Sequence, residues 1–248
     1  MGVGRTGGGA RGLLAGFSFQ HAANQYVAKR AANVVSSNII IVKPWKSTTI
    51  IKQNDKPMIP AWNSSAVLPP VRPGQPGHSP DRSPYSATRS EVSQRFATSL
   101  DRIAILLGLL AYRNELNRVG IMDGFQWLDG SFMEHKELLL NQPPNDVDVV
   151  TFFNLPAGIT DEQTFVAQNP DLFYPDRSKL RFHVDAYAML IGKALEVSDV
   201  QQISYWYSMW SHRRNGLWKG FVRVDISIEQ DQIAGAVLDQ IEREQQSL

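Results

Sequence analysis

Eight of the chain's 14 prolines fall between Pro57 and Pro84, and that clustering constrains the architecture more than any other feature. Proline removes a backbone donor and locks φ, so the stretch reads as an extended strap lying on or beside a body. The expected organisation is a basic extension over 1–57, a Pro-rich strap over 58–87 and a folded domain over 88–248.

Charge divides along the same line. Residues 1–57 hold eight basic side chains against one acid, which leaves 17 basic and 23 acidic for the rest. An acidic body is a poor general binder of nucleic acid, because attraction to phosphate dominates such affinity; a nucleic-acid partner stays open. The glycine-rich first 57 residues are expected to be poorly ordered, with initiation at Met58 a further expectation, although residues 38–42 have the composition of a strand. With no cysteine there is no zinc ribbon, iron–sulfur cluster or thiol nucleophile. The longest apolar run, 103–111, is about half of what a bilayer-spanning helix needs. No membrane partner and a cytoplasmic location are expected.

Periodicity gives the elements. Thr88 and Glu91 form a capping-box pattern ahead of Val92, Phe96, Leu100, Ile103, Leu107 and Leu110, an apolar stripe of helical period that Gly120 stops. Residues 125–129 read as a strand. Gly130-Ser131 makes a turn, and Ser131 with Glu134 reads as a second capping box that starts a helix at the serine. Strands are expected over 146–153, 180–187 and 218–228, and helices over 188–196, 198–211 and 229–245, the last with Ile233, Val237 and Ile241 on one side. Trp206, Tyr207 and Trp210 read as core aromatics.

Three segments carry chemistry. A strand repeats every two residues, so Asp146 and Asp148 share one face. Neighbouring carboxylates repel, and a hard divalent cation is the usual compensation; solvated acids at a sheet edge are the plain alternative. Gly130 lets the backbone approach a phosphate, and a helix start at Ser131 offers unpaired N–H groups. Asp185 lies in a strand-like run, where an unpaired charge is costly to bury, with His183 and Tyr187 on its face.

Taken together, Trp127-Leu-Asp-Gly-Ser-Phe-Met-Glu-His-Lys136, Pro144-Asn-Asp-Val-Asp-Val-Val150 and Asp185 resemble the nucleotidyltransferase superfamily with the DNA polymerase β-like palm. The closer resemblance is to a bacterial group of small nucleotidyltransferase-like proteins, through Leu68-Pro69-Pro70 and the late Lys219-Gly220. It spans about residues 58–228. The resemblance implies an α+β fold, a small mixed sheet with helices packed on one side. It implies that Asp146, Asp148 and Asp185 are catalytic residues holding two Mg²⁺ ions, with Mn²⁺ a substitute, and that Asp185 activates the attacking hydroxyl. Gly130 and Ser131 would hold phosphates. Lys136 would neutralise them, and Lys219, or Arg213 and Arg214, are further candidates for reaching the triphosphate on charge alone.

The activity so implied moves a nucleoside monophosphate from an NTP, ATP foremost, onto a hydroxyl of a protein, RNA or small molecule. Small relatives of this kind adenylylate a partner toxin as antitoxins, or serve in defence against phage. A metal-dependent glycosyltransferase also uses Asp-x-Asp but requires neither Gly130-Ser131 nor Asp185. A catalytically silent nucleotide-binding partner protein is the third reading.

Overall fold

The computed structural model describes residues 58–247; the expected N-terminal extension and the strand-like residues 38–42 lie outside them. The fold is α+β, a five-stranded mixed sheet with eight helices among the described residues. The strap ends in an edge strand, β1 (Tyr85–Ser86). Then come α1 (Arg89–Phe96), α2 (Leu100–Arg118), β2 (Gly124–Asp129), a single 3-10 turn (Ser131–Met133) and α3 (Lys136–Leu140). β3 (Val147–Phe153) leads through α4 (Glu162–Gln168), α5 (Pro170–Phe173) and α6 (Pro175–Phe182) to β4 (Val184–Leu190). α7 (Val197–Trp210), β5 (Val222–Asp225) and α8 (Ile228–Gln246) complete it.

The sheet order is β1-β5-β2-β3-β4, with β1 parallel to β5, β3 parallel to β4, and β2 antiparallel to both its neighbours. β3 shows how two faces arise from one sequence. Val147, Val149 and Phe153 join the large core beneath α1, α2 and α8, while Val150 and Phe152 join a second cluster with Trp127, Met189, Trp206, Trp210 and Phe221. The one-sided arrangement is therefore corrected. α7 lays Trp206 on Tyr187, ring centroids 4.6 Å apart, and Trp210 against Phe221 on the opposite face. Trp206, Tyr207 and Trp210 are core aromatics, as expected.

Local expectations change where tertiary contacts intervene. The single helix from residue 88 is two, because Ser99 caps a new helix through a bond from Arg102 N–H and resets the phase. Leu100 and Leu107 are consequently 53% and 36% exposed. The expected strand 180–187 is helical through Phe182, started by Pro175 at its first turn, and leaves Leu180 in solvent. The expected helix 188–196 is the end of β4 and a loop, and α7 is capped by Glu196. Strand 218–228 shrinks to β5, while α8 faces inward through Asp231, Ala234 and Leu238, with Ile233 half exposed.

A buried polar knot ties the helices to the sheet. Arg113 of α2 donates to Asp231 Oδ1 of α8 at 2.6 Å, to Gln126 Oε1 at 2.7 Å and to the Asp225 carbonyl at 2.9 Å. Gln126 passes a bond to Thr151 at 3.0 Å. Arg89 of α1 lies 3.6 Å from the same Asp231 oxygen, yet none of its guanidinium nitrogens makes a hydrogen bond. Asp231 thus balances two buried cations. Removing one partner of a buried pair strands a charge, whereas replacing an unbonded charge with an apolar side chain does not. Asp231→Ala is expected to lose about 3–5 kcal/mol in denaturant unfolding, and Arg89→Met to be neutral or stabilising.

Candidate active site

The carboxylates meet through sheet register. Asp129 ends β2 opposite Asp148 of β3, and Asp148 sits opposite Asp185 of β4, so three adjacent strands carry an aspartate at one level. Asp146 lies one residue before β3. Lys179 of α6 bridges the outer pair, its Nζ 2.9 Å from Asp146 Oδ2 and 3.0 Å from Asp185 Oδ2. The three acids read from sequence are therefore together. Asp129 and Lys179 were missed, the first although it shares β2's period with Trp127, the second because residue 179 precedes what read as a strand.

Gly130 closes the group. Its φ is +82°, and a Cβ there would stand 2.8 Å from the Asp148 carboxyl group. Only glycine combines that backbone conformation with so close a carboxylate. Ser131 begins a 3-10 turn and its side chain caps nothing. The expected Ser131–Glu134 box is absent because Glu134 is held elsewhere: Arg213 binds it through Nε at 2.8 Å and through Nη2, and Lys219 lies 3.5 Å away. The Ser131 N–H group finds no acceptor among the described residues, so the turn still presents an unpaired donor, whereas Phe132 is fully buried in the core.

Lys219 stands behind the turn. It is 5% exposed, donates to Asp129 Oδ1 at 2.9 Å and lies 3.4 Å from the Gly130 carbonyl. Expected as a phosphate ligand, Lys219 is placed by the structure inside the turn, as a buried, paired ammonium that holds it from within. Gly220 lets the strap pass: its N–H donates to the Leu68 carbonyl at 2.7 Å, and a Cβ would meet the Pro69 carbonyl at 2.7 Å. Leu68-Pro69 and Lys219-Gly220, distant in sequence, are one packing unit. Trp62 reaches the same region, donating to the Met133 carbonyl at 2.7 Å and stacking on His135 at 4.4 Å. Among the described residues Lys136 opens α3 without an ion pair, Arg214 is exposed and unpaired, and His183 is a left-handed helix cap at φ 56° rather than a strand residue.

Burial, then repulsion from Asp185 and Asp146, pushes the Asp148 carboxyl up to about 6. Burial likewise drives Asp129 up to about 7 against the pull of Lys219. Burial and the charges of Asp185 and Asp148 take the Tyr187 phenol to about 12. Burial opposes the Lys179 ammonium, but bonds to Asp146 and Asp185 hold it charged above the ordinary lysine range.

Among the described residues, no three carboxylate or imidazole side chains converge into a ready cation cage. The donors nonetheless suit a hard divalent ion: all are carboxylate oxygens, and among the described residues Asp148 has neither a hydrogen bond nor an ion pair to offset its charge. Asp146, Asp148 and Asp185 are the residues that would hold it.

Because the folded pKa of Asp148 lies above its unfolded value, the native state keeps that proton longer, and stability falls as pH rises from about 4 to about 6. Asp148→Asn removes the penalty. The variant is expected to be more stable than wild type at pH 7 by on the order of 1–3 kcal/mol, with the difference vanishing near pH 4. Thermal unfolding at the two pH values reads it. Gly130→Ala, strained in backbone and pressed on Asp148, is expected to lower the melting temperature.

Comparison with curated proteins and with solved structures gives no match. A family model described as a family of unknown function, DUF6932, matches residues 60–225. That span runs from the strap through β5 and includes Lys219-Gly220 and every aspartate of the cluster. The chain belongs to this family of unknown function.

Proposed function

We propose that the protein is a nucleotidyltransferase, moving a nucleoside monophosphate from an NTP, ATP foremost, to a hydroxyl acceptor with release of pyrophosphate. The observation that carries this reading is the register of Asp148 beside Asp185, with Asp146 adjacent and Gly130 pressed against the Asp148 carboxylate. Its parts match the chemistry. Asp146, Asp148 and Asp185 would hold Mg²⁺, two ions being the expected number; bound there, Mg²⁺ would supply charge neutralisation for entering and leaving oxygens. Asp185 accepts the proton of the attacking hydroxyl. The unpaired N–H group of Ser131 binds a phosphate oxygen of the leaving pyrophosphate. Lys219 and Asp129 keep the turn in place from inside.

A glycosyltransferase would leave the Gly130 turn and Asp185 without a role. A protein acceptor, as in toxin adenylylation or phage defence, belongs to the resemblance and extends this proposal.

The test incubates the full chain with α-labelled NTPs, Mg²⁺ and lysate. Label is expected in a macromolecular or small-molecule product. Asp146→Asn/Asp148→Asn and Asp185→Asn are each expected to reduce it at least on the order of a hundredfold. Labelling by the variants equal to wild type refutes the reading.

A further inference from the structure

Lys179 is the cation that already bridges Asp146 and Asp185. It comes from α6, outside the sheet, and its ammonium makes charge-assisted contacts to Asp146 at 2.9 Å and Asp185 at 3.0 Å. Those two carboxylates come from separate segments and are about four-fifths buried, at 20% and 19% exposure, whereas the lysine is 46% exposed. The carboxylates are therefore fixed and the lysine is the movable member. Its stem extends from the last turn of α6, anchored where the His183 N–H bonds the Lys179 carbonyl at 3.0 Å. A long, unbranched side chain on a fixed backbone swings without disturbing the fold.

A divalent ion on Asp146 and Asp185 and an ammonium on the same oxygens repel one another, so the two occupants exclude each other. Resting on the function proposed above, we propose that Lys179 guards the cluster against a cation arriving alone and yields it when a polyphosphate draws the ammonium away. The favoured ligand is then the divalent cation together with a nucleoside triphosphate. By linkage, whatever captures Lys179 tightens the cation, and the cation frees Lys179 for the phosphates to the same extent. Among the described residues, no acid other than Asp146 and Asp185 binds Lys179.

The experiment titrates the full chain with Mn²⁺ and follows free Mn²⁺ by electron paramagnetic resonance, without and with a non-hydrolysable ATP analogue. Without the analogue, Lys179→Gln is expected to bind Mn²⁺ on the order of tenfold more tightly than wild type, and Lys179→Arg to stay close to wild type. With the analogue, wild type is expected to gain affinity and Lys179→Gln to gain much less. Equal Mn²⁺ affinity of wild type and Lys179→Gln, or equal tightening of both by the analogue, overturns the proposal. Tighter Mn²⁺ binding by Lys179→Gln with no NMP transfer by wild type keeps the guard and discards the transferase. Transfer by wild type with unchanged Mn²⁺ affinity in the variant does the reverse.

Discussion

The packing of Gly130 against the carboxyl group of Asp148, with no room for a Cβ between them, is the constraint around which the molecule is arranged. It joins a turn with an unpaired backbone donor at Ser131 to a carboxylate with no direct partner among the described residues, and tolerates no side chain between them. Everything nearby steadies that junction. Asp129 and Lys219 brace the turn from below, Glu134 and Arg213 clamp its far side, and the strap crosses Gly220 at a distance that only glycine permits. The prolines that first limited the fold thus serve the site: Leu68 and Pro69 pin the segment that carries Lys219.

Energetically the cluster is a liability. Three aspartates at one level of a sheet, one without an ion pair, oppose folding, and burial and like-charge repulsion raise the Asp148 carboxyl accordingly. The stabilising part lies on the other face, where α1, α2 and α8 bury one side of the same strands. β3 carries both tasks, with Val147 and Val149 inward and Asp148 between them. Strain accepted at one face and offset at the other is the usual distribution at reactive sites.

How much was legible in the sequence depends on the range of the interactions involved. The carboxylate pair, the glycine turn and the third acid were readable because strand parity and turn chemistry are local. The helix start at Ser131 was not, since Glu134 has a stronger partner 79 positions away in Arg213. Lys219 read as a phosphate ligand because charge suggests exposure, whereas Asp129 makes its burial tolerable. Residues 180–182 alternate like a strand, but Pro175 starts a helix that leaves Leu180 outside and Phe182 in the core. Lys179 could emerge only once that helix placed it over Asp185. The nucleotidyltransferase type of the sheet rests on the resemblance; the mixed five-stranded sheet is what the structure displays.

The strand order has a consequence for biosynthesis. β5, which follows the other four strands in sequence among the described residues, pairs with both β1 and β2, so a nascent chain halted before residue 222 holds β1 apart and β2 with an open edge. Assembly by non-local pairing is slow, and an uncovered edge invites association with other chains.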